Sequence, residues 1–225
     1  MSLPDLGPLW LSIQLAAVTT LILLIFGTPL AWWLATTRSR FKPVAEAITA
    51  LPLVLPPTVL GFYLLILLSP NSTLGGLWRD ATGSSLTFSF SGLVLASILY
   101  SLPFAVQPLQ AAFEGVGRGP MEAASSLRAS KLDAFLTVAV PLSKRGFLTA
   151  GVLSFAHTIG EFGVVLMVGG NIPGQTRVIS IAIYEQVETL DYAQAHVLSL
   201  ILLVFSFVVL LLVYSLNRRM PVRVG

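Results

Sequence analysis

Long apolar runs separated by short polar segments dominate the pattern of the chain. A helix needs about 20 residues to cross the roughly 30 Å hydrocarbon core of a bilayer, and several runs are long enough. We predict spans at about 9–37, 47–69, 92–113, 146–170 and 194–217. Continuous runs favour helices over the short alternating strands of a membrane barrel. The pattern therefore predicts an all-α transmembrane fold, a polytopic helical bundle of about five spans.

The polar connections are short. The longest covers about 114–145, and 70–91 and 171–193 connect other spans on the opposite side. The stretch 176–190 is predicted to form a short surface or re-entrant helix. Because no connection is long enough to fold as a soluble domain, we treat 1–225 as a single transmembrane domain.

Composition excludes the other broad classes. Apolar residues make up 55% of the chain and charged residues 10%, whereas soluble domains carry about 25% charged residues. High hydrophobicity also excludes intrinsic disorder. The absence of Cys excludes disulfides, Cys-based zinc sites and thiol nucleophiles. The net charge of +3 is read as a topology signal, and no nucleic-acid partner is expected.

Basic residues fall mainly on one side of the predicted spans. Eleven of the 13 Lys and Arg residues lie in the connections after spans one and three and in the tail after span five. They are Arg38, Arg40, Lys42, Arg118, Arg128, Lys131, Lys144, Arg145, Arg218, Arg219 and Arg223. The positive-inside rule then places the N-terminus outside and the C-terminus in the cytoplasm.

The second span is rich in helix-breaking residues. Pro56, Pro57 and Gly61 interrupt its apolar run, and Thr58 adds a hydroxyl. Proline removes an amide donor and frees carbonyls that lipid cannot satisfy. Two interpretations remain open: a kink that serves packing alone, or a broken helix that lines a translocation path or gate.

The fourth span carries two ionisable residues. His157 and Glu161 are four residues apart, so one helix would place them on the same face. An ionisable group in a span should face the bundle interior. One interpretation is an internal His–Glu pair that fixes helix packing. The other is a proton or cation site, which would favour an ion-coupled secondary carrier.

The connection at 114–145 contains an amphipathic pattern. Pro120 and an early Glu122 are typical of a helix start, and Ala123, Ala124 and Leu127 form a short apolar stripe. The segment is either a connector that lies on the lipid headgroups or a ridge that inserts into a partner protein. In the second case Glu122 would meet a basic group.

This connection resembles the Glu-Ala-Ala loop of the membrane subunits of bacterial ABC importers, whose central Gly position is Arg128 here. The resemblance implies a loop that couples the bundle to an ATPase. Its residues are Glu122, Ala123, Ala124, Leu127, Arg128, Ala129, Ser130 and Pro141. Gly tolerates a left-handed turn and Arg does so poorly. Either the turn is unstrained here, or Arg128 has a contact of its own.

Further elements narrow the resemblance to the permease subunits of molybdate ABC importers over nearly the whole chain. They are the run 51–65, Gly160-Glu161-Phe162-Gly163, and the segment from Gly170-Asn171-Ile172-Pro173-Gly174 to Gln175-Thr176-Arg177. Sulfate and tungstate permeases share Gly-Glu-Phe-Gly, so they remain alternatives. The path or gate residues are then Pro56, Pro57, Thr58, Gly61, His157 and Glu161.

The resemblance implies a MetI-like permease fold in the bacterial inner membrane. It also implies a homodimer, two cytoplasmic ABC ATPase subunits and a periplasmic oxyanion-binding protein. The sequence has no Gly-x-x-x-x-Gly-Lys-Ser/Thr loop, so ATP and Mg²⁺ are expected on the ATPase subunit. The chain is expected to be no enzyme, with no catalytic or metal-binding residues and no cofactor of its own.

The implied substrate limits the role of Glu161. An ionised carboxylate repels a dianion in a path of low dielectric constant. We therefore predict that Glu161 does not contact the anion and instead pairs with His157 or a helix end. Hydroxyls, amides and helix N-termini suit an oxyanion better. Besides the ion-coupled carrier, a membrane scaffold remains a rival, although it would not explain the broken second span.

Overall fold

A computed structural model of the chain describes residues 5–218. Within this range the chain forms α-helices and one π-helical segment at Phe135–Ala139, and no β-strand. The helices are α1 (Gly7–Thr36), α2 (Lys42–Val54), α3 (Pro57–Leu68), α4 (Thr73–Thr82), α5 (Phe90–Val116), α6 (Gly119–Ser126), α7 (Lys131–Ala134), α8 (Val140–Leu142), α9 (Lys144–Gly160), α10 (Gly163–Gly169), α11 (Ile179–Glu188) and α12 (Tyr192–Arg218).

The predicted all-α transmembrane fold is confirmed. Helices α1 and α5 and the part of α12 up to Leu211 are long and apolar enough to cross a membrane. The pair α2 and α3 and the pair α9 and α10 reach this length only together, so the described residues supply three to five spans. Arg219 and Arg223, which entered the orientation argument, lie outside the described residues, and the orientation stays a prediction.

Helix α5 occupies the centre of the bundle. Over its most apolar 18 residues 56% are buried, against 11% over the corresponding 18 residues of α12 within Tyr192–Leu211. Near the 114–145 connection, α5 packs against α1 and α9 through one apolar cluster: Ala31, Leu34, Val106, Leu109, Phe113, Ala139 and Ala150. A second cluster joins α5 to α1, α10 and α11 at the other end of the bundle. Helix α5 is thus the scaffold on which both broken spans rest.

The two longest connections are ordered by helices of their own. The 114–145 connection contains α6, α7, the π-helical segment and α8. In the stretch 176–190, α11 forms the predicted short helix, but Ile179 and Ile181 are buried. The Ile179 amide also donates to Ser12 Oγ of α1 at 2.8 Å. Helix α11 therefore packs one face against the bundle, while Tyr184 and Val187 on this helix stay exposed.

Candidate translocation path and coupling surface

The second span breaks where its sequence predicts. Helix α2 ends at Val54, Leu55 and Pro56 are extended with ψ of 135° each, and α3 begins at Pro57. A residue that precedes proline is displaced from the helical region, so two successive prolines stop α2 and start α3. The two helices are bent by 112°. The second span is therefore two helices and not one kinked helix, and its role in a path stays a prediction.

The fourth span also breaks, but without proline. Helix α9 ends at Gly160, Glu161 is extended, and α10 begins at Gly163 after a bend of 62°. Side chains from other helices hold the break. Ser97 Oγ of α5 donates to Glu161 Oε2 at 2.8 Å, and Ser180 Oγ of α11 donates to the Glu161 carbonyl at 2.6 Å. Tertiary hydrogen bonds thus replace the intrahelical bond that the break removes.

The two breaks meet in space. A methyl group built on Gly163 would lie 2.8 Å from Pro57 Cβ and 3.7 Å from the Thr58 amide nitrogen. One turn further along, a methyl group on Gly61 would lie 2.8 Å from Met167 Cβ. Glycine at both positions lets α3 and α10 approach more closely than any larger residue would allow. The second halves of the broken spans therefore form one tightly packed pair of helices.

The predicted path residues differ in exposure. Pro56, Pro57 and Thr58 are exposed at the first break, whereas Gly61 is buried against α10. Glu161 is 4% exposed, and its Oε1 has no hydrogen-bond partner within residues 5–218. The structure therefore brings the proline break and the Glu161 break together, with the exposed Thr58 beside them.

The ion pair between His157 and Glu161 is not formed among the described residues, so that prediction is wrong. The helix ends at Gly160, and Glu161 no longer follows its helical face. Each residue bonds to a different serine of α5: Glu161 to Ser97, and His157 Nδ1 to Ser101 Oγ at 2.9 Å. The His157 ring also stacks on Phe104 with centroids 3.9 Å apart. Span four is thereby fixed to span three.

Three further residues belong to this site and were not predicted from the sequence: Ser97, Ser101 and Ser180. Ser97 and Ser101 are buried and spaced at i, i+4 in an apolar span, which places small polar groups on one helix face, as at other membrane helix contacts. The i, i+4 spacing of the two serines is thus a sequence pattern that indicates a polar contact between membrane helices. Ser180 had no comparable signal, because its role depends on where α11 packs.

The turn between α6 and α7 is a Schellman motif with an arginine at its left-handed position. Arg128 has φ of 62°, its amide donates to the Ser125 carbonyl at 3.0 Å, and the Ala129 amide donates to the Ala124 carbonyl at 3.1 Å. These two bonds define the motif, in which Gly is the usual left-handed residue. An L-residue there costs about 1–2 kcal/mol. The alternative of an unstrained turn is therefore wrong.

Helix α7 begins directly after the turn, with Ser130 as its N-cap. Ser130 Oγ accepts a hydrogen bond from the Asp133 amide at 3.1 Å and so begins α7. The helical run continues through the π-helical segment to α8, which contains the exposed Pro141, and α9 follows from Lys144. Both ends of the turn are thus fixed by hydrogen bonds, and Leu127, Arg128 and Ala129 hold one defined conformation.

The residues of α6 and the turn divide into an outer and an inner set. Glu122, Ala123 and Arg128 are exposed, and Leu127 is 85% exposed, whereas Ala124 is 8% exposed against the following helices. Glu122 lies in the first turn of α6, where a carboxylate interacts favourably with the helix dipole. A groove of about 490 Å³ runs beside the turn between α6 and α7. The outer set and this groove are available to a partner.

Comparisons with known proteins agree with this geometry. Residues 27–222 match the family described as "Binding-protein-dependent transport system inner membrane component". The chain is 56% identical over 95% of both chains to the "Molybdenum transport system permease protein ModB" of Azotobacter vinelandii. It is 35% identical to the ModB of Escherichia coli K12, over 83% of this chain and 81% of the relative. The "Sulfate transport system permease protein CysT" of E. coli K12 is 31% identical, over 89% and 72%.

Solved structures share the fold at low identity. A chain of the MetNI methionine ABC transporter in inward-facing conformations superposes with a TM-score of 0.74 at 15% identity, over 94% of this chain and 93% of that one. A chain of a bacterial alginate ABC transporter, in complex with an alginate-bound periplasmic protein, gives 0.78 at 16%, over 97% and 80%. The MetI-like fold is thus confirmed, and the chain belongs to the family of binding-protein-dependent transport system inner membrane components.

Proposed function

We propose that the chain is the membrane-spanning permease subunit of an ATP-binding-cassette importer that carries an oxyanion, molybdate, into the cell. The observation that carries the substrate is the 56% identity, over 95% of both chains, to a protein named for molybdenum transport. The named sulfate permease is more distant at 31%. Sulfate and tungstate are therefore the competitors to test, and molybdate is the substrate that the similarity favours.

The partners form the second part of this proposal. Two copies of the chain enclose the path, two cytoplasmic ATPase subunits bind ATP and Mg²⁺, and a periplasmic protein delivers the oxyanion. No Gly-x-x-x-x-Gly-Lys-Ser/Thr loop occurs in the sequence, which supports a separate ATPase. The chain itself then binds no cofactor and catalyses no reaction, and its N-terminus lies outside with its C-terminus in the cytoplasm.

Coupling is assigned to α6 and the turn that follows it. The exposed Glu122 and Ala123 and the 85% exposed Leu127 would enter a cleft of the ATPase, with Glu122 opposite a basic group. The rest of the coupling segment comprises Ala124, Arg128, Ala129, Ser130 and Pro141. Because hydrogen bonds fix both ends of the turn, a displacement of α6 is passed to α7 and then to α9.

The path is assigned to the place where the two breaks meet. The exposed Pro56, Pro57 and Thr58 would face the second copy, so that freed carbonyls and a hydroxyl line a gate. Glu161 is turned inward to Ser97, which supports a gate-shaping role and keeps a carboxylate away from the dianion. His157 shares this role through Ser101, and Gly61 through its contact with α10.

Site-specific crosslinking tests the coupling assignment. The sequence has no Cys, so Ala123→Cys introduces a single thiol on the exposed side of α6. We expect a crosslink to the ATPase subunit whose yield changes when nucleotide is added. Ala124→Cys is the matched control, because that position is 8% exposed and should react poorly. Equal crosslinking at both positions, or none at Ala123→Cys, would contradict the assignment.

Uptake by reconstituted vesicles tests the function as a whole. We expect molybdate accumulation only when the chain, the ATPase, the periplasmic protein and ATP are all present. Competition by tungstate and sulfate then ranks the substrates. Accumulation by vesicles that contain this chain alone, driven by an ion gradient, would support the secondary carrier and exclude the importer.

A further inference from the structure

Arg128 differs from the other Lys and Arg residues of the described chain in its backbone conformation. It is the one cation among residues 5–218 that lies in the left-handed region, at φ of 62°. Like Arg38, Arg118, Lys131 and Lys144, it is exposed and forms no ion pair within these residues. A strained backbone persists where the surrounding structure enforces it, and such positions cluster at binding sites. The strain at Arg128 brings no side-chain hydrogen bond or ion pair inside the described chain.

The conformation of the turn is enforced on both sides. The Schellman bonds of Arg128 and Ala129 close α6, and the Ser130 cap opens α7. Arg128 is therefore presented from a fixed backbone, next to Leu127, which is 85% exposed. Arginine is one of the residue types enriched among the few side chains that dominate the energy of protein interfaces.

We infer that Arg128 is an ionic anchor of the coupling turn, whose guanidinium pairs with a carboxylate of the cytoplasmic ATPase next to an apolar pocket for Leu127. This inference rests on the proposed function, because it requires the ATPase to dock on α6. It adds the chemistry of the partner surface: an acidic side chain at hydrogen-bond distance from the left-handed position. Guanidinium and carboxylate form two parallel hydrogen bonds, so the contact also fixes orientation.

The charges around the turn favour a protein partner over the membrane surface. Recognition of anionic lipid takes clusters of about four to eight basic residues. Residues 118–133 carry three basic residues, Arg118, Arg128 and Lys131, which are interspersed with the acidic Glu122 and Asp133. The groove beside the turn is lined by three alanines and also by Leu127, Arg128 and Asp133. A mixed-charge surface with a groove suits the side chains of a folded partner.

The test measures binding of the cognate ATPase to the full-length chain in nanodiscs of zwitterionic lipid. Arg128→Gly should weaken binding about tenfold and flatten its dependence on salt, while the thermal midpoint of the chain stays equal or rises because Gly suits the turn. Arg128→Lys keeps the charge without the paired hydrogen bonds and should weaken binding less. Lys131→Gln is the matched control, since it removes a cation three residues away and should leave affinity unchanged.

Each other outcome overturns a distinct statement. Wild-type affinity in Arg128→Gly would overturn the ionic anchor and leave the importer intact. Equal losses in Arg128→Gly and Lys131→Gln would reduce the effect to general charge and also overturn it. A loss that appears only in nanodiscs with anionic lipid would assign Arg128 to the membrane surface. No binding by the wild-type chain would instead contradict the proposed docking itself, which Ala123→Cys tests independently.

Discussion

The two broken spans reach similar shapes by different means. Between α2 and α3 the cause is local, because Pro56 and Pro57 follow one another and the bend reaches 112°. Between α9 and α10 the bend is 62° and contains no proline. There the extended Glu161 is held by Ser97 of α5 and Ser180 of α11. The first break is thus encoded in its own segment, and the second depends on the assembled bundle.

The two breaks are expected to respond differently when the helices of an importer move. A proline break exists before and after any movement of the bundle, so α3 keeps its own helix start. A break held by hydrogen bonds to neighbouring helices changes when those helices move. Because α3 and α10 pack closely at Gly61 and Gly163, movement at the second break displaces both. We expect the bend angle at the Glu161 break to change during transport and the bend angle at the proline break to stay constant.

The strongest test removes the prolines. The double variant Pro56→Ala and Pro57→Ala should let the helix continue, since each interior proline disfavours a helix by about 3 kcal/mol. Spin labels at Ile48 on α2 and Tyr63 on α3, both exposed, would then report a longer distance. Molybdate uptake should be lost.

Pro52→Ala is the control for that variant, because Pro52 lies inside α2 without ending it. It should leave the distance between the two labels unchanged. If the double variant also leaves the distance unchanged, packing imposes the first break as well, and the contrast between the two breaks disappears.

The same contrast explains how far the sequence predicts the structure. The first break, the spans and the start of α6 depend on residues close in sequence. Pro56 and Pro57 therefore indicated the position of the first disturbance, the apolar runs indicated the spans, and Pro120 indicated the start of α6. The end of α9 depends on Ser97 and Ser180, which lie 64 and 19 residues from Glu161. The spacing of four residues therefore suggested that His157 and Glu161 form a pair on one helix face. The helix ends at Gly160, one residue before Glu161, so the two side chains do not share a face.

The conformation at Arg128 could be predicted only in part from the sequence. Its residue type predicted that a left-handed turn would be strained, and the structure shows the strain at φ of 62°. What the sequence could not decide was whether the turn would change or the strain would persist. That decision depends on the bonds of Ser125 and Ala124 to the turn, which exist only once α6 has formed.

The next largest effect is expected when the hydrogen bond from Ser97 to Glu161 is removed. Ser97→Ala removes the donor to Glu161 Oε2 and leaves a buried carboxyl group without a bond. It should destabilise the chain by about 2–3 kcal/mol, measured by chemical unfolding in detergent. Ser154→Ala is matched in chemistry, since Ser154 Oγ is buried on α9 with no partner among the described residues, and it should be neutral or stabilising. Equal effects would show that the Ser97 bond does not hold the break.

A third prediction concerns the contact between the breaks. Gly163→Ala would place a methyl group 2.8 Å from the rigid ring of Pro57, so α3 and α10 must separate. We expect a cost of about 1–2 kcal/mol from overpacking and a clear loss of uptake at normal expression. Retained uptake would indicate that the close approach of α3 and α10 is not needed for transport.

The smallest effect should come from Gly160→Ala, which asks whether glycine flexibility causes the second break. Gly160 ends α9, and a methyl group there meets no atom within 4 Å. Ala should therefore stabilise the chain by about 0.4–1 kcal/mol through the unfolded state and leave uptake unchanged, because Ser97 and Ser180 still hold Glu161. Reduced uptake together with higher stability would make Gly160 a hinge. The second break would then be encoded locally, as the first one is.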